Sequence, residues 1–197
     1  MIAIIDYKAG NVASVKNGLS RLGVDCVITS EVEKILSASG VIFPGQGRAG
    51  AAMEELQKSG VDKIIAKISR PFLGICLGMQ LLSEFSEEDS TKCLSIINGK
   101  CQKFPPTLKT PHLGWNKVEF VKSSPLAEGI ANGAYFYFVH SYYFAAINDC
   151  VIGETAYGFN FPSVAQKDNF FATQFHPEKS GQVGSILLNN FCKLCQQ

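Results

Sequence analysis

The first half of the chain alternates short runs that are apolar at every position with segments of helical spacing, and this constrains the fold more than any other feature. Ile2, Ala3, Ile4 and Ile5 run into Asp6 and Tyr7, and Val12, Val15, Leu19 and Leu22 follow at intervals of a helical turn. Asn11 can cap that helix and Gly23 can end it. Residues 24–28 and 40–43 repeat the strand pattern around a short polar or helical stretch. Residues 53–68 keep helical periodicity with a break at Ser59 and Gly60, and residues 71–75 form another apolar run before a helix expected from Leu77 to about Phe85. A strand apolar on both faces must be covered on both, which requires a parallel sheet between layers of helices.

The pattern changes after about residue 92. Segments 120–121, 134–139, 142–147, 151–155 and 170–174 are short, rich in β-branched and aromatic residues, and separated by Gly, Pro, Asn and Asp. They read as a mixed or antiparallel extension of the same sheet, closed by a helix over 183–194. No repeat, low-complexity tract or linker interrupts the 197 residues, so one α/β domain over 1–197 is expected.

Composition excludes several classes. The chain carries 18 basic against 17 acidic side chains without a basic cluster, which argues against a nucleic-acid partner. No apolar run approaches the ~20 residues of a membrane-spanning helix. The seven cysteines are odd in number, and Asp6 and Lys8 break the apolar start before a signal peptide could form. A reducing, cytoplasmic location is expected.

Cys76 stands between Gly74 and Gly78, where the strand ending at Ile75 turns into the helix from Leu77. A nucleophile at such a turn is strained and exposed, and small neighbours let the backbone turn and the substrate approach. The helix start lowers a thiol pKa and offers the Leu77 amide as an oxyanion donor. A cysteine nucleophile needs a base, and there are three histidines: His112, His140 and His176. His176 precedes Pro177, which favours an extended backbone, and in an extended run positions 176 and 178 project to one side. Glu178 would then orient the imidazole and stabilise its cation.

Gly45, Gly47 and Gly50 form a literal G-x-G-x-x-G between a strand and a helix, the dinucleotide fingerprint, and open a rival reading as a nicotinamide- or flavin-binding protein. Against it, the motif follows the third strand, and the acidic residue expected roughly 20 positions on would be Asp62, inside a helical segment. The competing use is a flexible loop whose amides complete an oxyanion hole. Cys192 and Cys195 have metal or redox spacing but no second pair or nearby histidine, so packing is the expectation and no metal is.

Pro44–Gly47, Gly74–Gln80 and His176–Glu178, in that order, resemble the class I (triad) glutamine amidotransferases. Pro111–Asn116, Tyr135–Tyr142 and Gln174–Gly181 are similar to the glutaminase-subunit family of imidazole glycerol phosphate synthase. The resemblance implies a flavodoxin-like three-layer sandwich with a mixed, largely parallel central sheet, and no cofactor. It implies that Cys76, His176 and Glu178 hydrolyse L-glutamine, with Leu77 and Gln46 or Gly47 around the oxyanion. It further implies that Gly45, Gly47, Gln80, His140, Ser141 and Tyr142 hold the substrate. The implied partner is a (β/α)8-barrel cyclase subunit in a heterodimer, which would use the ammonia to form imidazole glycerol phosphate and aminoimidazole carboxamide ribotide. Trp115 and Tyr137 would lie at that interface near the ammonia exit. Alternatives are a paralogous amidotransferase that feeds a cyclase-like partner in nucleotide-sugar or surface-polysaccharide synthesis, and a stand-alone thiol hydrolase. Two positions depart from the family pattern: Lys8 replaces a usual glycine, and Gln46 a small apolar residue.

Overall fold

A computed structural model describes residues 1–8, 11–146 and 148–196. In chain order the elements are β1 (Ile2–Ile5), α1 (Val12–Arg21), β2 (Cys26–Thr29), α2 (Val32–Ser37), β3 (Gly40–Gly45), α3 (Ala49–Ser59), α4 (Asp62–Ile65), β4 (Phe72–Cys76) and α5 (Leu77–Leu81). Then follow β5 (Phe85–Ser86), β6 (Thr91–Lys92), β7 (Gly99–Lys103), β8 (His112–Phe120), β9 (Ala134–His140), β10 (Tyr142–Ala146), β11 (Val151–Ala156), β12 (Asn160–Lys167), β13 (Phe170–Thr173) and α6 (Gly181–Leu194).

The main sheet has nine strands in the order β2-β1-β3-β4-β13-β12-β11-β8-β9. Its first five are parallel and the rest pair antiparallel. The apolar strands divide their side chains between two cores, as the period of two requires. Ala3, Ile5, Val41, Phe43 and Phe72 face Ile35, Met53, Leu56 and Ile65 of α2 to α4. Ile2, Ile4, Ile42, Leu73 and Ile75 face Val15, Leu19, Leu187 and Phe191 of α1 and α6. These are the expected layers, with helices on both faces of a mixed sheet. Asn11 caps α1, its side chain accepting the Ser14 amide at 3.1 Å, and Gly23 follows that helix at φ 69°.

Three expectations need correction. The helix from Leu77 stops at Leu81, because the next residues pair in a second sheet of order β10-β7-β5-β6 and the Leu82 carbonyl accepts the amides of Ile96 and Ile97. Segment 142–146 also belongs to that sheet, antiparallel to β7, and does not extend the main one; Ile147 lies outside the described residues. Strands β7, β12 and most of β8 were not expected, since their Lys, Asn and Gln residues hide the apolar alternation.

Candidate active site

Strand β4 ends at Cys76, whose backbone stands at φ 54° and ψ −108°, a conformation that L residues reach only under strain. The flanking glycines make the turn possible by close packing. A Cβ on Gly78 would stand 1.8 Å from the Phe43 carbonyl oxygen, and one on Gly74 would stand 2.9 Å from that of Gly78. Gly45 plays the same part on the neighbouring strand, where a Cβ would fall 2.4 Å from the Tyr7 hydroxyl and 2.6 Å from Leu77. That hydroxyl donates to the Pro44 carbonyl at 2.8 Å and pins the end of β3 beside Cys76. Lys8, the next residue, stands at φ 60°, so the position where the family has glycine does demand left-handed backbone here.

Beyond β13 the chain bends at Gln174 and Phe175, is extended again at His176, and then tightens into a 3-10 turn over Pro177–Lys179. The turn, and not a continued extended run, brings the side chains at 176 and 178 together. His176 Nδ1 lies 2.8 Å from Glu178 Oε1, and both side chains are buried. A carboxylate oxygen accepts, so Nδ1 carries a proton and Nε2 is the nitrogen left free to give or take one. Nε2 is buried, and Cys76 is the side chain it can bond among the described residues. Burial pulls the His176 pKa down, but the adjoining Cys76 and Glu178 outweigh it and raise it to about 10. Helices α1 and α6 press on this turn: a Cβ on Gly184 would stand 1.9 Å from the Pro177 carbonyl, and one on Gly18 would stand 3.5 Å from Glu178 Cβ.

A cavity of about 420 Å³ opens on these groups. Cys76, Leu77 and His176 line it with Gln46, Gly47, Gln80, Tyr137, His140, Ser141 and Tyr142. The structure thus brings together ten of the residues expected from sequence. Gly45 and Glu178 stand behind the wall, and Trp115 lies outside it, half exposed, with its ring 6.0 Å from that of Tyr137. A larger hollow of about 720 Å³ over residues 120–132 is lined by no cysteine or histidine.

Sequence reasoning passed over Gln174, Glu88 and Lys179, as well as Pro111 and Val139 of the cavity wall. Gln174 donates to Cys76 Sγ at 3.7 Å and accepts the Gln80 amide at 3.1 Å. It stands in a quoted motif, which was the available signal. Glu88 lines the cavity and accepts the Ala49 amide at 2.8 Å. Burial raises its carboxyl pKa. In sequence it belongs to an acidic run that reads as a solvated surface. Lys179 also lines the cavity. Gln80 spends both amide protons on protein, on Gln174 and on the Tyr142 carbonyl at 2.7 Å. The glycine loop after β3 leads into α3 with the Arg48 guanidinium paired to Asp89, which anchors it to the turn at 88–90.

The arrangement can perform acyl transfer: a nucleophile at a strained turn, a buried base oriented by a carboxylate, and backbone amides at a helix start. The dinucleotide reading finds no support, because Gly45 and Gly50 are occupied by packing against Tyr7, Leu77 and Asp89. Among the described residues no group of three or more His, Cys, Asp or Glu could hold a metal ion.

The family model for class-I glutamine amidotransferases matches residues 3–194. The chain is 51% identical to the imidazole glycerol phosphate synthase subunit HisH of Methanocaldococcus jannaschii, over 98% of this chain and 100% of that one. It is 45% identical to the subunit of the same name from Maridesulfovibrio salexigens, over 100% and 98%. Among solved structures, a glutamine amidotransferase superposes with a TM-score of 0.77 at 18% identity, over 100% of both chains. A chain of PurLQS from Thermotoga maritima superposes with a TM-score of 0.76 at 17% identity, covering 98% of this chain and 97% of that one. At these identities the superpositions speak for the fold alone.

Proposed function

Because the chain belongs to the class-I glutamine amidotransferases, we propose that it is the glutaminase subunit of an imidazole glycerol phosphate synthase, built as one amidotransferase domain over 1–197. The reaction follows from the groups in the cavity. The Cys76 thiolate attacks the side-chain carbonyl of L-glutamine, and the oxyanion is held by the Leu77 amide and an amide at Gln46 or Gly47. The tetrahedral species collapses to a thioester as the His176 imidazolium gives its Nε2 proton to the departing nitrogen, which leaves as ammonia. Water then attacks the thioester, His176 takes its proton, and glutamate leaves as the thiolate re-forms. Glu178 accepts from Nδ1–H throughout, so that Nε2 is the nitrogen that exchanges protons.

Substrate selection has a matching logic. Glu88 offers the cavity a carboxylate for the α-ammonium of glutamine, while Gln80, Ser141 and Tyr142 frame the rest of the molecule. The ammonia passes to a second subunit of the synthase, a (β/α)8-barrel cyclase that makes imidazole glycerol phosphate and aminoimidazole carboxamide ribotide. Leu113, Trp115 and Tyr135, exposed on one face of β8 and β9, supply an apolar seat for it.

The observation that carries this reading is the placement of Cys76 and His176 on one cavity wall with Glu178 bonded behind. In the complex, Cys76→Ala is expected to abolish glutamine-dependent synthesis and leave ammonia-dependent synthesis intact. Retained glutaminase activity in that variant overturns the reading.

A further inference from the structure

The two histidines that the reaction leaves aside are buried and form one hydrogen-bonded chain with the partly exposed Asn116. His140 Nδ1 lies 2.8 Å from the Tyr142 carbonyl oxygen, and a carbonyl can only accept, so this nitrogen carries the ring proton. In a neutral ring Nε2 is then an acceptor, and His112 Nδ1, 2.9 Å away, must donate to it. His112 Nε2 becomes an acceptor in turn and meets the side-chain amide nitrogen of Asn116 at 3.2 Å. The other proton of that amide goes to the Ala156 carbonyl at 2.9 Å. The carbonyls at the two ends therefore fix every proton between them, and both rings are held as the Nδ1–H tautomer.

The surroundings keep both rings neutral and in place. Phe138 and Tyr157 stack on the two sides of His112, with centroids 4.8 and 4.2 Å away, and Phe104 and Phe161 pack against His140 at 5.3 and 5.4 Å. Burial lowers the pKa of His112 to about 4 and that of His140 to about 3. The chain ends on an oxygen with a second duty, since the Tyr142 carbonyl also accepts the Gln80 amide at 2.7 Å. One atom thus joins the end of β9, the bend at Ser141, the start of β10 and a side chain that lines the cavity.

We propose that His112 and His140 are positioning residues for glutamine: a neutral, single-tautomer relay that fixes the Tyr142 carbonyl, and through it Gln80 and the bend at Ser141, in the geometry that receives the substrate. The proposal rests on the reading of this cavity as the glutamine site. Without the donor from His112, His140 can exchange tautomers, and an Nδ1 lone pair would then face the Tyr142 carbonyl. The relay touches neither Cys76 Sγ nor the His176 and Glu178 pair, so its loss falls on binding more than on chemistry.

The test uses the complex with its synthase partner and separates KM from kcat. His140→Phe keeps a ring but no donor and is expected to raise the KM for glutamine about tenfold, the effect of one lost buried hydrogen bond, with a smaller fall in kcat. His140→Asn places an amide N–H where Nδ1–H stood and is expected to recover most of the loss. In the wild-type protein, nitrogen NMR of the rings is expected to show protonated Nδ1 and bare Nε2 on both histidines, unchanged from pH 6 to 8. A protonated Nε2 on either ring overturns the proposal. So does an unchanged KM in His140→Phe, or an Asn variant no better than the Phe variant. Any of these results beside an active wild-type glutaminase overturns the relay alone. A wild-type complex that does not hydrolyse glutamine overturns the underlying reading.

Discussion

The side-chain amides of Gln80 and Gln174, 94 residues apart in sequence, meet at 3.1 Å, with Gln174 reaching on to Cys76 Sγ at 3.7 Å. Gln174 therefore does two things: it orients a residue of the cavity wall and donates to the sulfur. A hydrogen bond to a charged group contributes about 1.5–3 kcal/mol, so Gln174→Leu is expected to lower glutaminase kcat/KM by roughly ten- to a hundredfold. Steady-state kinetics on the complex check it; an unchanged kcat/KM would show that the contact with sulfur is incidental.

Glu178→Gln removes the charge that helps hold His176 as an imidazolium. With its pKa raised to about 10, the native pair keeps the cation across the neutral range. The folded pKa is above the unfolded value, so the stability contributed is full below about pH 6.5 and is lost as pH rises through about 10. In the variant the cation is lost at lower pH. Denaturant unfolding measured from pH 6 to 10 is expected to show a weaker pH dependence than wild type. The basic limb of the glutaminase pH profile should move to lower pH, with kcat reduced by about 10² or more.

What could be read from sequence was local. The strained turn at Cys76 and the glycines beside it concern neighbours within a few residues, and the third glycine, Gly45, sits in a motif of its own. His176 and Glu178 are two apart, although the turn that joins them is 3-10 and not extended. The parallel half of the sheet was equally legible, because a strand buried on both faces is apolar throughout. The second sheet was not. Strand β7 carries Lys100, Gln102 and Lys103, and it is stabilised by pairing with β10, about 40 residues later. The short helix after Cys76 ends for the same reason, since its continuation is claimed by that sheet. Glu88 could not be recognised as part of the site, because only the folded chain brings it to the cavity, and the motif that holds Gln174 did not show its contacts with Gln80 and Cys76.

Gly78→Ala tests the packing beneath the nucleophile. The added Cβ would stand 1.8 Å from the Phe43 carbonyl, a backbone atom in a buried strand that cannot swing aside. Overpacking typically costs about 1–3 kcal/mol, and here β3, β4 and α5 would have to move apart together. Thermal unfolding is expected to show a loss at the upper end of that range or beyond, with glutaminase activity lost as the oxyanion amides separate from Cys76. Gly47→Ala makes the control for crowding: Gly47 stands at φ 102°, with nothing within 4 Å of its Cβ position, so its cost is confined to the backbone conformation.

Trp115 ties the exposed face of β8 to His176. Its ring packs against Tyr137 at 6.0 Å, and the Tyr137 carbonyl accepts the backbone amide of His176 at 2.9 Å. Trp115 is 55% exposed, and Leu113 beside it 62%, so neither contributes much to the core of the isolated chain. Both offer apolar area that a second subunit would cover. Trp115→Glu is expected to leave thermal stability of the isolated chain within about 0.5 kcal/mol. The same change should weaken binding of the synthase partner by at least tenfold, as loss of a central aromatic anchor does. Calorimetric titration against the partner checks this. Unchanged affinity would move the docking face away from β8 and β9.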